Sequence, residues 1–306
     1  MNYRIVTLCI LAMKIAIFGA NGWIGQQIQL LLQEPWQVIV PTIRADDATA
    51  VAKFLDGEKP DRVLSVIGRT RGPGYSTIDY LEDEPKSHDK LVLNMRDNLY
   101  APLTLALACT SRNIHYTYLG TGCIFSYTDL KSTFDEDDDP NFFGSGYSVV
   151  KGYTDRLMRQ LPQVLQVRIR MPLTADKSPY NFITKITSYA QICSVENSMT
   201  VLPTLLPILL NMIENKTTGT INLTNPGTIC HNRILQLYKE LVDPSFTWIN
   251  FTEDEQNEIL RSKRSNNYLD TQRLQTLYPN VPCIEDAVIE CLKVLAQGAV
   301  QERSAN

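Results

Sequence analysis

The sequence of 306 residues predicts an α/β fold in which a doubly wound parallel sheet carries a smaller C-terminal lobe. Over residues 13–172, short apolar runs of strand type alternate with helical patterns, which is typical of a parallel sheet with helices on both faces. The first apolar run is followed at once by a glycine turn and a helix, as in folds that bind a dinucleotide. After Pro172 the elements become shorter and prolines more frequent, which indicates a second lobe.

The composition excludes several classes of protein. Apolar residues make up 44% and charged residues 20%, as in ordinary soluble globular proteins. A net charge of -4 provides no basic surface for nucleic acid, and no apolar run approaches the ~20 residues of a membrane span. The seven cysteines form no CxxC pairs, which predicts reduced thiols and a location in the cytoplasm. The three histidines lie outside any cluster with the spacing of metal ligands, so no metal site is expected. Residues 1–12 are expected to be an extension.

The first strand is expected over residues 14–18, and the glycines that follow it are three residues apart. Glycines at this position let backbone amides approach a pyrophosphate, and the N-terminus of the next helix adds partial positive charge. The sequence therefore predicts a Rossmann-type cofactor site at the start of the fold. The residues expected to contact the cofactor here are Gly19, Asn21, Gly22, Trp23, Ile24 and Gly25.

The second strand, over residues 37–40, leads to Arg44, where the NAD fingerprint would place an acid. A guanidinium binds a 2′-phosphate that a carboxylate would repel, so NADPH is the expected cofactor and NADH the alternative. The third strand, over residues 62–68, should bring the backbone of Ile67 and Gly68 to the cofactor. Further strands are expected over residues 114–119, 164–171 and 221–224, and helices over residues 48–55, 87–111, 182–188, 203–213, 231–241 and 284–297.

The pattern divides the chain into two parts. Residues 13–172, together with a strand and helix over residues 218–242, are assigned to the dinucleotide-binding domain. Residues 173–217 and 243–306 are assigned to a substrate-binding lobe over the ends of the strands, where ligands bind in open α/β sheets.

Thr121, Tyr147 and Lys151 are the candidate catalytic residues for reduction of a carbonyl group. Tyr147 and Lys151 are four residues apart on a predicted helix and so share one face. The ammonium is expected to lower the pKa of the phenol, which then protonates a carbonyl oxygen while hydride reaches the carbon. Thr121, at the end of the preceding strand, is the second donor to that oxygen. Tyr147 and Lys151 are also expected to contact the cofactor.

These residues resemble the extended short-chain dehydrogenase/reductase family. More closely, the chain resembles the bifunctional epimerase/reductases that make a nucleotide-rhamnose, as in the C-terminal half of plant rhamnose synthases. The likeness covers about residues 14–296. It is carried by unusual sequence blocks at residues 122–125, 140–145, 168–172, 181–186, 197–200, 223–227 and 264–267.

The resemblance implies the remaining site residues. Cys123 and Lys185 fall on the proposed acid/base pair of the epimerase, and Asn181 and Arg264 fall where related enzymes hold the nucleotide diphosphate. The implied reaction converts UDP-4-keto-6-deoxyglucose to UDP-rhamnose, with dTDP left open as the nucleotide. In the related GDP-fucose synthases the cysteine works with a histidine, so the lysine makes that chemistry less favoured. Where relatives carry Asn-Ala-Ala or Asn-Ala-Gly, this chain has Val-Ile-Gly at residues 66–68.

The implied chemistry agrees with the residue types. In a 4-keto sugar the protons at C3 and C5 are acidic, and inverting each centre requires a base on one face and an acid on the other. A thiol and a desolvated lysine are both tunable towards neutrality. Two alternatives remain: a 4-keto reductase without epimerase activity, and a non-catalytic NAD(P)-binding subunit. A homodimer, formed through the long helices, is expected at the level of the fold.

Overall fold

The computed structural model describes residues 12–82 and 88–304, so most of the extension expected at residues 1–12 lies outside the described residues. Its centre is a six-stranded sheet in which every pairing is parallel. The strands of this sheet are β1 (Met13–Phe18), β2 (Trp36–Ile39), β3 (Arg62–Ser65), β4 (His115–Thr121), β6 (Val164–Ile169) and β8 (Gly219–Asn222). Two further pairs join short strands: β5 (Thr133–Phe134) with β10 (Tyr268–Leu269), and β7 (Gln191–Ile192) with β9 (Ile249–Asn250).

The order of strands in the sheet is β2-β1-β3-β4-β6-β8. The chain passes from β1 outwards to β2 and then returns to the other side of β1 as β3. The carboxyl ends of β1 and β3 therefore flank the point where the winding reverses, which is where open α/β sheets bind their ligands. The predicted doubly wound parallel sheet is confirmed, and its ligand crevice lies where the glycine turn ends β1.

Helices cover both faces of the sheet because side chains alternate along each strand. In β1, Ile15 and Ile17 pack in one core cluster while Ala16 and Phe18 pack in another. The helices are α1 (Trp23–Leu31), α2 (Ala48–Glu58), α3 (Asp89–Met95), α4 (Ala101–Thr110), α5 (Gly146–Met158), α6 (Phe182–Ser188), α7 (Leu202–Glu214), α8 (His231–Leu241), α9 (Glu253–Ile259), α10 (Gln272–Leu277) and α11 (Ile284–Ser304).

The long helix expected over residues 87–111 is interrupted by a π-helical turn, Arg96–Tyr100, between α3 and α4. Pro102 lies in the first turn of α4, where its missing N–H breaks the regular ladder. The side chain of Asn98, in the wider turn, donates to the carbonyl of Arg69 and accepts from its N–H, both at 2.9 Å. The irregular turn thereby fixes the start of the loop that follows β3.

A core cluster separate from those of the sheet is built from α6, α8 and α11, within the part of the chain expected to form a second lobe. The helix over 231–241, grouped with the sheet from the sequence, packs here through Ile234 and Leu235. The helix expected over 203–213 was grouped with the lobe, yet α7 packs on the sheet. The apolar side chains of α7 recur at helical spacing and face the strands. This packing places α7 on the sheet, although its position in the chain suggested the lobe.

No helix within the described residues combines the length and the apolar character needed to cross a bilayer.

Candidate active site

A cavity of about 870 Å³ lies across the carboxyl ends of the central strands. Its wall is formed by the glycine turn, by the ends of β3, β4 and β6, and by α6 and the start of α8 from the lobe. A volume at the upper end of the range for ligand sites suits a large ligand or two adjacent ligands. Within the described residues, no group of three or more His, Cys, Asp or Glu side chains is placed to hold a metal ion.

The glycine turn forms a cradle that side chains would fill. Gly19 has a φ of +88°, and a Cβ on Gly25 would lie 2.5 Å from the carbonyl oxygen of Gly19. The following helix begins at Trp23, and its N-cap, Gly22, provides no side-chain hydrogen bond. The first amides of this helix therefore suit an anion such as a pyrophosphate. Asn21 is exposed and does not line the cavity, unlike the other five residues predicted for this turn.

Arg44 lies at the edge of the cavity among other charges. Its guanidinium is 2.8 Å from the carboxylate of Asp46 and 3.7 Å from that of Asp97. Asp97 also pairs with Arg69 and Arg96, at 2.5 and 2.8 Å. Three guanidinium groups thus meet two carboxylates, which leaves one positive charge. Ile67 and Gly68 line the cavity beside this corner, as expected from the sequence.

Thr121 and Tyr147 meet inside the cavity. Thr121 is the last residue of β4, and Tyr147 lies in the first turn of α5, whose N-cap Ser145 accepts from the N–H of Ser148. Both side chains line the cavity, and the hydroxyl of Thr121 opposes the rise in the pKa of Tyr147. Burial raises the pKa of Tyr147 and the charge of Cys123 raises it further, so this phenol holds its proton at neutral pH and is a proton donor.

Lys151 lies one turn along α5, but its ammonium donates to the hydroxyl of Tyr118. The expectation that it lowers the pKa of Tyr147 is therefore wrong: the Tyr147 pKa is raised, because burial outweighs any neighbouring positive charge. Burial also lowers the pKa of Lys151 to about 8, against the charges of Asp155 and Cys123. Lys151 is thus a buried cation near neutral pH whose charge is lost in mildly alkaline solution.

Cys123 and Lys185 line the same cavity although they are far apart in the chain. The backbone N–H of Cys123 donates to the Thr121 hydroxyl at 3.1 Å, and its carbonyl accepts from Ser148 at 2.7 Å. These bonds hold Cys123 next to Thr121 and Tyr147. Lys185 lies in the last turn of α6, where burial and the charge of Arg71 lower its pKa. Desolvation of this kind favours a lysine that exchanges protons.

The two residues expected to hold the diphosphate have different positions. Arg264 lines the cavity, and its guanidinium is 2.5 Å from the buried carboxylate of Asp79, so part of its charge is compensated. Asn181 is fully buried and does not line the cavity. Its side chain accepts from the N–H of Ile183 and donates to the carbonyl of Thr174, which makes it the N-cap of α6. The structure therefore places Asn181 behind the cavity wall, and not on it.

Several residues that line the cavity or support it were missed from the sequence. Arg170 and His231 line it, and Tyr118 supports Lys151 from β4. The guanidinium of Arg71 stacks over the Tyr180 ring at 3.5 Å, which places another cation at the wall. Arg170 carried a signal, since it lies in one of the unusual sequence blocks; the others had none.

Comparisons with known proteins agree with this geometry. Residues 13–201 match the model of the RmlD substrate binding domain family. The crystal structure of a UDP-rhamnose synthase from Acanthamoeba polyphaga mimivirus is 52% identical, covers 92% of this chain and 99% of its own, and has a TM-score of 0.89. A bifunctional dTDP-4-dehydrorhamnose 3,5-epimerase/dTDP-4-dehydrorhamnose reductase from Arabidopsis thaliana is 38% identical over 283 residues, which are 90% of each protein. A dTDP-4-dehydrorhamnose reductase from Bacillus anthracis, solved with NADP, is 16% identical with a TM-score of 0.75, covers 90% of this chain and 97% of its own, and shows a shared fold.

Proposed function

Because the chain belongs to the RmlD substrate binding domain family, we propose that it is an NADPH-dependent enzyme that converts UDP-4-keto-6-deoxy-D-glucose to UDP-L-rhamnose. The reaction combines epimerisation at C3 and C5 with reduction of the keto group at C4. The observation that carries the proposal is the meeting of Cys123 and Lys185 with the hydroxyls of Thr121 and Tyr147 in one cavity. A reductase without epimerase activity would need the hydroxyls of Thr121 and Tyr147 but not Cys123 and Lys185.

The hydroxyl pair serves both reactions. When a base removes a proton from C3 or C5, the negative charge moves to the oxygen at C4, where Thr121 and Tyr147 donate hydrogen bonds. Cys123 and Lys185 take and supply the carbon-bound protons. NADPH, when bound, supplies the hydride that reaches C4. Tyr147 then protonates the C4 oxygen, and the ammonium of Lys151, which is held on the Tyr118 hydroxyl, supplies positive charge to this wall of the cavity.

The binding roles follow the two parts of the chain. The cradle formed by Gly19, Gly22 and Gly25 fits the cofactor pyrophosphate, and Arg44 with Arg69 provides charge for a 2′-phosphate. The lobe contributes Arg264, and the N-cap role of Asn181 orients the helix that carries Lys185. We assign residues 13–172 and β8 to cofactor binding and α6, α8 and α11 to substrate binding.

A homodimer and a cytoplasmic location complete the proposal. Apolar side chains remain exposed along α3 and α5, including Val92 at 61%, Tyr153 at 57% and Leu157 at 47%. A second copy that packs α3 and α5 against its own would bury them. The six cysteines within the described residues carry free thiols, which suits a reducing compartment.

The test is incubation of the protein with UDP-4-keto-6-deoxyglucose and NADPH in heavy water, with the product analysed by NMR. We expect UDP-rhamnose that carries deuterium at C3 and C5. Reduction without deuterium would leave a 4-keto reductase, and the absence of turnover would leave a nucleotide-binding subunit. The dTDP sugar, run in parallel, identifies the nucleotide by the ratio of kcat/KM values. Cys123→Ala should abolish exchange and rhamnose formation, and wild-type rates in this variant would remove the thiol from the mechanism.

A further inference from the structure

Arg170 directly follows the last residue of β6, and its side chain is buried with 1% of its surface exposed. One of its terminal nitrogens, Nη1, lies 3.6 Å from the sulfur of Cys123. We propose that Arg170 is the counter-ion that holds Cys123 as a thiolate, and so is a positioning residue for the epimerisation. This inference rests on the proposed function, to which it adds the group that prepares the base.

A buried guanidinium requires both hydrogen-bond partners and a compensating charge. The other acceptors around Arg170 are neutral: the hydroxyl and carbonyl oxygens of Ser265, the amide oxygen of Asn197 and the carbonyl of Gly122. Within the described part of the chain, the ion pairs of Arg170 include no carboxylate, and its hydrogen-bond partners include one group that ionises to an anion, the Cys123 thiol.

Arg168, two residues earlier on the same strand, shows the alternative arrangement. It is also fully buried, but its Nε and Nη2 donate to the carboxylate of Asp155 at 2.8 and 2.9 Å. The fold thus supplies a carboxylate to the buried arginine within β6 and a thiol to the buried arginine directly after this strand. Burial lowers the pKa of Arg170, and the negative charge of Cys123 acts in the opposite direction.

Several other titratable groups lie near this pair. Tyr127, in the loop after β4, interacts with Arg170, and burial raises the pKa of its phenol, which is therefore neutral at neutral pH. Tyr147 and Lys151 face the thiol from α5; the phenol is neutral, and Lys151 is a cation below about pH 8. His231 faces Arg170 from α8, and its pKa is lowered to about 4 by burial and by the arginine charge, so the imidazole is neutral. At neutral pH the sulfur therefore has two cations near it, Arg170 and Lys151.

The guanidinium is fixed by a segment that contacts it from the far end of the chain. Ser265 accepts from both terminal nitrogens, and its hydroxyl donates to the carbonyl of Phe125. Asn267 donates to the hydroxyl of Ser265 at 3.0 Å and to the carbonyl of Gly122 at 2.9 Å. Because both terminal nitrogens of the guanidinium are held by hydrogen bonds, Nη1 is kept close to the sulfur of Cys123. A lysine would keep the charge but not this geometry.

The step balances as follows. The Cys123 thiolate takes the proton from C3 or C5 and becomes a thiol, while the C–H electron pair enters the enolate. The Lys185 ammonium delivers a proton to the opposite face of the same carbon and becomes an amine, so the total charge of the pair is unchanged. Both groups return to their starting forms by proton exchange with water. Arg170 takes no proton and keeps its charge throughout.

The direct test measures reaction of Cys123 with iodoacetamide across pH, with the modified peptide quantified by mass spectrometry. Arg170→Met should move the pH of half-reaction upwards by about one unit or more. Arg170→Lys should recover part of the change. The matched control is Arg62→Met, because Arg62 is also buried and donates to the carbonyls of Ile213 and Glu214, away from the cavity. An unchanged profile in Arg170→Met would overturn the inference.

If Arg170→Met does not fold, the same alkylation experiment on the wild-type protein tests the inference. Cys123 should then reach half-reaction at a lower pH in the native protein than in the same protein unfolded in urea, and an equal or higher value would overturn the inference.

The activity arm separates preparation of the base from a general loss of structure. In Arg170→Met, deuterium exchange at C3 and C5 should fall at least about tenfold more than reduction of the already epimerised ketone. An equal fall of both rates would make Arg170 merely structural and overturn the inference. If the wild-type protein shows no exchange, the proposed epimerase function fails, whereas the alkylation profile still decides the role of Arg170.

Discussion

Replacing Tyr147 with phenylalanine should remove the proton donor for the C4 oxygen. The tyrosine is buried beside Thr121 in the cavity, and its raised pKa keeps the hydroxyl protonated throughout the neutral range. A positioned general acid contributes about 10²–10⁴-fold to a rate, which corresponds to ~3–5 kcal/mol in the barrier. We therefore expect kcat for reduction to fall by that factor.

The assay follows NADPH oxidation with the epimerised 4-keto sugar as substrate, so that the reductive step is observed by itself. Binding of NADPH, measured by its fluorescence, should change little because the phenyl ring retains the shape of the site. Tyr116→Phe is the matched control: Tyr116 is equally buried, but its hydroxyl donates to the carbonyl of Pro102 and lies outside the cavity. This control should lower stability and leave kcat unchanged.

The reasoning is refuted if Tyr147→Phe retains kcat within about threefold of the wild type while Tyr116→Phe behaves the same way. Thr121 would then be the sufficient donor. Double replacement of Thr121 with valine and Tyr147 with phenylalanine would decide between a shared and a single donor, since donors that act together give non-additive losses.

Three further predictions concern charge, assembly and stability. Because the pKa of Lys151 is about 8, the ammonium is present below that pH and is lost above it. In a pH–rate profile, the rate of reduction should therefore decline as the pH rises through 8. The residual activity of Lys151→Met should lack this decline. Combined Val92→Glu and Leu157→Glu should convert the proposed dimer to a monomer in light scattering. Leu130→Glu, at a side chain that is 98% exposed and lies outside α3 and α5, should not. Asp155→Asn leaves the buried guanidinium of Arg168 without its counter-ion. This variant should lower the free energy of unfolding, measured by urea titration, by about 3–5 kcal/mol. A loss below about 1 kcal/mol would show that the ion pair is not desolvated.

Much of the fold was predictable because local patterns dictate local structure. The glycine turn after β1, the apolar runs of the sheet and the helical stripe of α6 each follow from a few neighbouring residues. The breaks in these patterns were less visible. In the π-helical turn between α3 and α4, Asn98 forms hydrogen bonds with Arg69, a contact that no spacing along the helix reveals. The short strands β5, β7, β9 and β10 pair over long distances in the chain and carry no pattern of their own.

The candidate site was predictable where a motif fixes geometry. Tyr147 and Lys151 share a helical face, and the end of a strand presents Thr121, so their positions follow from spacing. The expectation failed where the environment outweighs proximity in sequence. Lys151 donates to Tyr118, which reaches it from β4, and burial raises the pKa of Tyr147. Asn181 lies in a matching block, yet its amide bonds to the start of α6 and to the backbone of the loop before it.

The sequence by itself determined the parallel sheet, the glycine cradle and the types of residue available for chemistry. The period of apolar residues and the conformational freedom of glycine depend on a few adjacent residues, so both can be inferred from the sequence alone. Only the tertiary structure decided which charges meet. The contact of Arg170 with Cys123 joins the end of β6 to the turn after β4, and Ser265 fixes it from a segment almost a hundred residues further on. Electrostatic pairing depends on distance in space and on burial, and both exist only in the folded chain.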